Sequence, residues 1–171
     1  MKQFVLSKLG NEYVPDEIKA IVENTELDSI ISSPLRYRHP WELLWGNINK
    51  DNVCVTGDAL HPMTPEIGQG GCAALEDGVV LARCLAGVLL KEQSVETKGK
   101  GDKRIEMGLR KYAKERRWRS IELISTAYFV GFVQQGNGQV TSFLRENILP
   151  TFLAGLPLKK ADFDCGKLSI S

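Results

Sequence analysis

Val53–Leu85, VCVTGDALHPMTPEIGQGGCAALEDGVVLARCL, is the stretch whose reading decides the fold. Val53-Cys54-Val55-Thr56 is a short β-branched run that stops at Gly57, the pattern of a buried strand in a parallel sheet. Gly57 allows a sharp turn or a close backbone approach. Asp58 then stands just beyond the strand's carboxyl end, where open α/β sheets bind ligands. A carboxylate there accepts hydrogen bonds from sugar-like hydroxyls or, more simply, caps a turn. Further on, Gly68-Gln69-Gly70-Gly71 opens a helix expected over 71–91. Its N–H groups and the positive end of its dipole favour an electron-rich group. Pro62 and Pro65 stiffen the loop between the two features. Together they suit a ligand with a polyol and an electron-rich head.

Working outward, residues 3–9 and 15–25 read as short helices, the second opened by Pro15-Asp16-Glu17. Residues 29–38 have extended character. Residues 41–46, WELLWG, read as a partner strand, with Trp41 and Trp45 facing a substrate pocket or the core. Downstream, a solvated linker is expected over 92–102 and a long helix over 103–134, stopped by Gln134-Gln135-Gly136-Asn137-Gly138. One short helix and an irregular tail finish the chain. The expected fold class is α/β and helix-rich. Three regions are expected: 1–50 as the end of a substrate region, 51–92 as a strand–loop–helix binding motif, and 103–171 as helical.

The 171 residues are 43% hydrophobic and 25% charged, which suits a soluble globular protein and is too apolar for disorder. With 22 Lys and Arg against 21 Asp and Glu, the net charge of +1 argues against nucleic acid or an anionic membrane as a partner. Charge is nonetheless uneven: ten of the basic residues but only three acids fall between Lys98 and Arg119. This run reads as a solvated helix face with Ile105, Leu109, Tyr112, Ile121 and Ile124 turned inward, rather than as a nucleic-acid patch. Four scattered cysteines and two histidines support neither a disulfide scaffold nor a zinc site. The apolar run around 124–133 is about half what a membrane span needs. No secretory signal is visible, and no compartment is indicated.

A dinucleotide fingerprint at Gly68-x-Gly70-x-x-Ala73 is set aside, because too many residues separate it from the preceding strand. Gly57-Asp58-Ala59-x-His61, Pro65, Gly68-x-Gly70, Ala74 and Glu76-Asp77 instead resemble the second FAD-binding motif of flavin-dependent aromatic hydroxylases. With Tyr37-Arg38-His39-Pro40-Trp41 upstream, the string looks most like plant FAD-dependent monooxygenases related to zeaxanthin epoxidase. The likeness is strong over about residues 35–90 and loose beyond.

The resemblance implies that Asp58 binds the ribitol or ribose hydroxyls of FAD, with Gly57 permitting the approach. It implies that Pro65 lines the flavin–substrate side of the pocket, and that Gly68 is among the cofactor-binding residues. The N–H groups around Gly70, Gly71 and Cys72 would face the pyrimidine edge of the isoalloxazine and stabilise charge on the reduced ring. The implied chemistry is the cofactor's: NAD(P)H reduces FAD, O2 adds to give a flavin hydroperoxide, and one oxygen atom passes to a small apolar or aromatic substrate. No catalytic side chain and no metal are needed.

Cys72 stands where several related enzymes carry Asn, so a side-chain contact is lost while backbone donation survives; a covalent bond from Cys72 to the flavin is not expected. His61 reads as a packing or loop-fixing residue, Glu76 and Asp77 as acids suited to a helix first turn. Arg36 and Arg38 read as internal salt-bridging groups, assigned to no substrate. Members of the family exceed twice this length and begin with a βαβ unit bearing GxGxxG. That unit and a later Asp-Gly motif are not found here, so the chain reads as the C-terminal part of such a fold. A missing N-terminal half or a partner chain is implied, and weak FAD binding by the isolated chain is expected. The alternative is an inactive remnant acting as a helical interaction module.

Overall fold

The computed structural model describes residues 2–10, 14–31, 33–90 and 100–167. They fall into two compact units, divided between Leu35 and Arg36. In the first, α1 (Lys2–Leu9) and α2 (Asp16–Asn24) occupy the positions that their sequence patterns predict. Asp16 and Glu17 lie in the first turn of α2, against the positive end of its dipole. The Lys2 ammonium donates to the carbonyl of Thr25 at 3.1 Å and ties the two helices together. No residue of either helix is fully buried.

The second unit is built on one helix. α5 (Lys100–Gln135) has 36 residues, roughly 54 Å at 1.5 Å per residue, and α4 (Gly70–Leu89) packs along it. α3 (Pro40–Trp45), α6 (Gln139–Asn147) and α7 (Leu149–Ala161) complete the helical set among the described residues. Leu60, Val80, Cys84, Tyr112 and Ile124 centre one apolar cluster. Ile67, Ala73, Leu123, Ala127 and Val130 centre a second, nearer the end of α5. α4 explains its own packing: Ala73, the adjacent Glu76 and Asp77, Val80 and Cys84, recurring once per helical turn, form its buried face. Leu109, Tyr112 and Ile124 of α5 are buried and Ile105 and Ile121 half-buried, as the pattern of that helix predicts.

Three expectations are corrected. Residues 41–46 do not form a strand. Pro40 at the first helical position, with Glu42 N–H donating to the His39 carbonyl at 3.0 Å, starts α3 instead. On that helix Leu43 enters the core at 2% exposure, while Trp41 and Trp45 stay outside at 54% and 80%. Trp41 stacks on His39, ring centroids 4.3 Å apart.

The strand at Val53 is not part of a parallel sheet. β1 (Asn49–Lys50) and β2 (Val53–Cys54) form an antiparallel hairpin pairing Asn49 with Cys54 and Lys50 with Val53. The polar turn at Asp51-Asn52, with Asp51 at φ +50°, is too short for anything but an antiparallel return. No other strand covers it among the described residues, and Val53 is 69% exposed. The tail beyond Gly138 holds two helices, α6 and α7, rather than one. Pro150 sits in the first turn of α7, where its missing N–H has no intrahelical acceptor to lose. Most of the linker expected over 92–102 lies outside the described residues.

Candidate functional site

The turn after β2 is where the structure concentrates its polar contacts. Gly57 adopts φ +56°, the left-handed region that a glycine reaches without Cβ strain. The N–H groups of Leu60 and His61 both return to the Gly57 carbonyl at 2.9 Å, closing a tight turn over Gly57–Ala59. Leu60 and His61 are fully buried beneath it. Asp58 is left exposed on the outer side.

A single carboxylate of α4 holds both ends of this turn. Asp77 Oδ2 accepts the Gly57 N–H at 2.7 Å and His61 Nε2–H at 2.8 Å. Its Oδ1 accepts Arg116 Nε at 2.5 Å. The Arg116 guanidinium continues to Glu76 Oε2 at 2.8 Å and to the Ala73 carbonyl at 3.1 Å. Arg119 closes the network with bonds of 2.7 and 3.0 Å to the two oxygens of Glu76. Both guanidiniums lie over the Phe163 ring, at 5.0 and 4.8 Å from its centroid.

Two carboxylates and two guanidiniums thus balance, which is what makes four buried charges tolerable. Burial pushes the Asp77 carboxyl up, but the bonds from His61 and Gly57 and the Arg116 charge outweigh it. The net result is a pKa below the ordinary aspartate value, so Asp77 stays ionised. Burial, aided by the Asp77 charge, raises the Tyr112 hydroxyl above its ordinary value; that hydroxyl donates to the Val55 carbonyl at 3.4 Å.

These contacts correct the reading of Glu76 and Asp77 as first-turn acids. α4 begins at Gly70, so both lie in its second turn, buried and paired with arginines from α5. They also change the account of the basic run: Arg116 and Arg119 face the interior, and Arg117 bonds the carbonyls of Leu44 and Gly46 at 3.1 and 3.0 Å. Neither arginine was legible as an internal group from its own neighbourhood. The signal lay in α4, where Glu76 and Asp77 occupy the 73–80–84 stripe that has to be buried. Buried acids at that spacing call for buried cations. His61 is loop-fixing, as expected. Arg38 pairs with Glu42 at 3.6 Å and donates to the Leu60 carbonyl at 2.9 Å, also an internal role.

Beyond the turn, Pro65–Ile67 makes one 3-10 turn that buries Ile67, and Gly68 at φ +62° reverses the chain into α4. A groove of about 620 Å³ opens here, within the usual range for small-molecule sites of about 300–1,000 Å³. Asp58, Thr64 and Pro65 line it on the loop side; Gly68, Gly70 and Gly71 line the side where α4 starts. Gly57 and Cys72 are not part of the lining, although Cys72 is exposed. The first N–H to find a helical acceptor is that of Ala73, bonded to the Gln69 carbonyl at 2.9 Å. No side chain caps the helix start, so the N–H groups of residues 70–72 lack intrahelical partners. A half-charge's worth of helix dipole and an acceptor carboxylate therefore border one open space.

Residues 7–124 match the family model described as an FAD binding domain. The chain belongs to the FAD-binding monooxygenase family. It is 57% identical to Monooxygenase 2 of Arabidopsis thaliana over 98% of this chain and 42% of that protein. Monooxygenase 1 of the same plant is 36% identical over 90% of this chain and 38% of its own length. The chloroplastic zeaxanthin epoxidase of an Oncidium hybrid is 33% identical over 69% of this chain and 16% of its own. The chain therefore spans about two fifths of the first two relatives. No solved structure matches it significantly. Among the described residues, no helix is long and apolar enough to cross a membrane, and no group of three or more His, Cys, Asp or Glu could hold a metal ion.

Proposed function

We propose that the groove between Asp58 and the start of α4 is the flavin edge of an FAD site in a monooxygenase that inserts one oxygen atom from O2 into a small apolar or aromatic substrate. One observation carries this reading: the exposed carboxylate and the uncapped helix N-terminus border the same groove. The residues present fit FAD on three counts. Asp58 is an ionisable acceptor for the hydroxyl chain, held in place by a turn whose ends are bonded to Asp77. The N–H groups of Gly70, Gly71 and Cys72 are donors for the electron-rich edge of the ring. Gly68 and Gly71 leave open space where a Cβ would otherwise stand, so a planar ring approaches the backbone unobstructed. Pro65 and Thr64 supply the rim on the substrate side.

When bound, FAD takes electrons from NAD(P)H and activates O2, chemistry that no side chain of the protein performs. The chain's own residues bind and orient: Asp58 holds the sugar tail, the helix start places positive potential at the ring, and Asp77 fixes Gly57. Within the 171 residues there is no strand–GxGxxG–helix unit to bind the pyrophosphate. Weak FAD binding by this chain alone is therefore expected, with the cofactor lost during gel filtration. Titration against flavin fluorescence tests the site. Asp58→Asn removes a charged acceptor and is expected to weaken binding by about ten- to a hundredfold, the equivalent of about 1.5–3 kcal/mol. FAD affinity equal to that of the unaltered chain would exclude Asp58 from the site.

A further inference from the structure

Arg116 comes from α5, is fully buried and lines no part of the groove, yet it bonds to what holds each of the groove's walls. Its Nε donates to Asp77 Oδ1 at 2.5 Å, its Nη1 to Glu76 Oε2 at 2.8 Å and its Nη2 to the Ala73 carbonyl at 3.1 Å. Asp77 carries the turn that presents Asp58, through the Gly57 N–H and His61. Ala73 closes the first turn of α4, at whose start Gly70 and Gly71 line the groove. One side chain thus ties the acceptor wall to the donor wall.

Asp77 cannot hold the turn in a fixed place by itself. An aspartate carboxylate turns easily about its last torsion, whose energy wells are broad. Bonds at Oδ2 alone would let that oxygen swing and carry the Gly57–His61 turn with it. The Arg116 bond at Oδ1 holds the second oxygen and so fixes the plane of the carboxylate. The guanidinium is itself a rigid planar fork, locked by bonds to three different partners. It is steadied further by the Phe163 ring 5.0 Å away, and by Arg119, which grips the same Glu76. A lysine at this position would restore the charge but not the fork.

We infer that Arg116 is a positioning residue for the cofactor, setting from outside the groove the offset between Asp58 and the N–H groups at the start of α4. The inference rests on the flavin reading of that groove. A ligand that spans both walls depends on the offset, whereas one that uses only the helix start does not. Riboflavin and lumiflavin share one ring system, and only riboflavin carries the hydroxyl chain. Their affinity ratio therefore measures the offset, while their common ring reports the helix start.

Fluorescence titration of the 171-residue chain with the two flavins tests it. Arg116→Lys is expected to lower the riboflavin-to-lumiflavin affinity ratio by about five- to tenfold, with lumiflavin itself changed by less than about twofold. Phe163→Leu keeps an apolar side chain but takes the ring from the guanidinium. It should lower the ratio in the same direction by a smaller factor, and it carries the test if the lysine variant does not fold. Amide hydrogen exchange, measured without flavin, should run about threefold or more faster at Gly57 and His61 in either variant. Exchange at Ala127 and Val130, in the second apolar cluster, should stay as in the unaltered chain. A merely structural role would instead weaken both flavins together and speed exchange throughout. That result, a ratio unmoved in both variants, unchanged exchange at Gly57, or no flavin bound by the unaltered chain would overturn the proposal. FAD titration unaltered in Asp58→Asn, with exchange at Gly57 still faster in Arg116→Lys, would instead fault the flavin reading and leave the bracing of the turn standing.

Discussion

Gly57 and Asp77 show how much of the site's shape rests on single groups. A Cβ at Gly57 would meet only the Ala74 Cβ at 3.6 Å, an ordinary contact, so space does not forbid a side chain there. Its φ of +56° does, at a cost of about 1–2 kcal/mol for an L-residue. Gly57→Ala is therefore expected to lower stability by about that amount in urea denaturation while leaving the helical circular dichroism intact. A larger loss would mean that the turn does not close without glycine. Asp58, the neighbour with the proposed cofactor role, contributes little to folding because it is exposed and held from behind. Asp58→Asn should unfold at about the urea midpoint of the unaltered chain, which separates its binding effect from any effect on the fold.

At the scale of elements, α5 organises everything around it. The last carbonyls of α3, orphaned by the end of that helix, are collected by Arg117: Leu43 and Leu44 within the helix and Gly46 beyond it. Arg117→Ala leaves those carbonyls without the guanidinium and is expected to cost about 1–3 kcal/mol, read from urea unfolding. A stability unchanged from that of the native chain would show that water replaces the arginine without penalty.

The same arginines mark the limit of legibility in the sequence. α4 and α5 were clear because their apolar positions recur at helical spacing over many turns, and the glycine-rich start of α4 gave its own N-terminus. Gly57, Asp58 and His61 were legible because a β-branched run ends there. The hairpin is not legible, since two residues on each strand carry no usable alternation. Arg116 and Arg119 were missed for a related reason: a guanidinium's burial is decided by its partners, here 39 to 43 residues away.

At the scale of the whole molecule, acid sets the boundary of stability. The Asp77 pKa lies below the unfolded value despite burial, and hydrogen bonding to Lys160, with the charges of Lys160 and Arg119, lowers that of Glu122. A carboxylate depressed in the folded state stabilises fully above its unfolded pKa, about 3.9 for Asp and 4.3 for Glu, and loses that contribution as pH falls through the folded value. The urea midpoint is accordingly expected to hold steady near neutrality and to decline from about pH 4 downward. Asp77→Asn leaves Arg116 short of one counter-charge and should cost about 3–5 kcal/mol at neutral pH, with a shallower acid limb than the native chain. An acid limb of equal steepness would assign the decline to other carboxylates.

The bond between Arg116 and Asp77 also has a temporal side. Residues 57–77 leave the ribosome well before residue 116 does, so the carboxylate that holds the turn beside Asp58 gains its guanidinium partner late. For the interval in which those roughly forty codons are translated, the Asp77 carboxylate lacks its Arg116 counter-charge. The charge balance of the buried network is thereby completed only once α5 has been made.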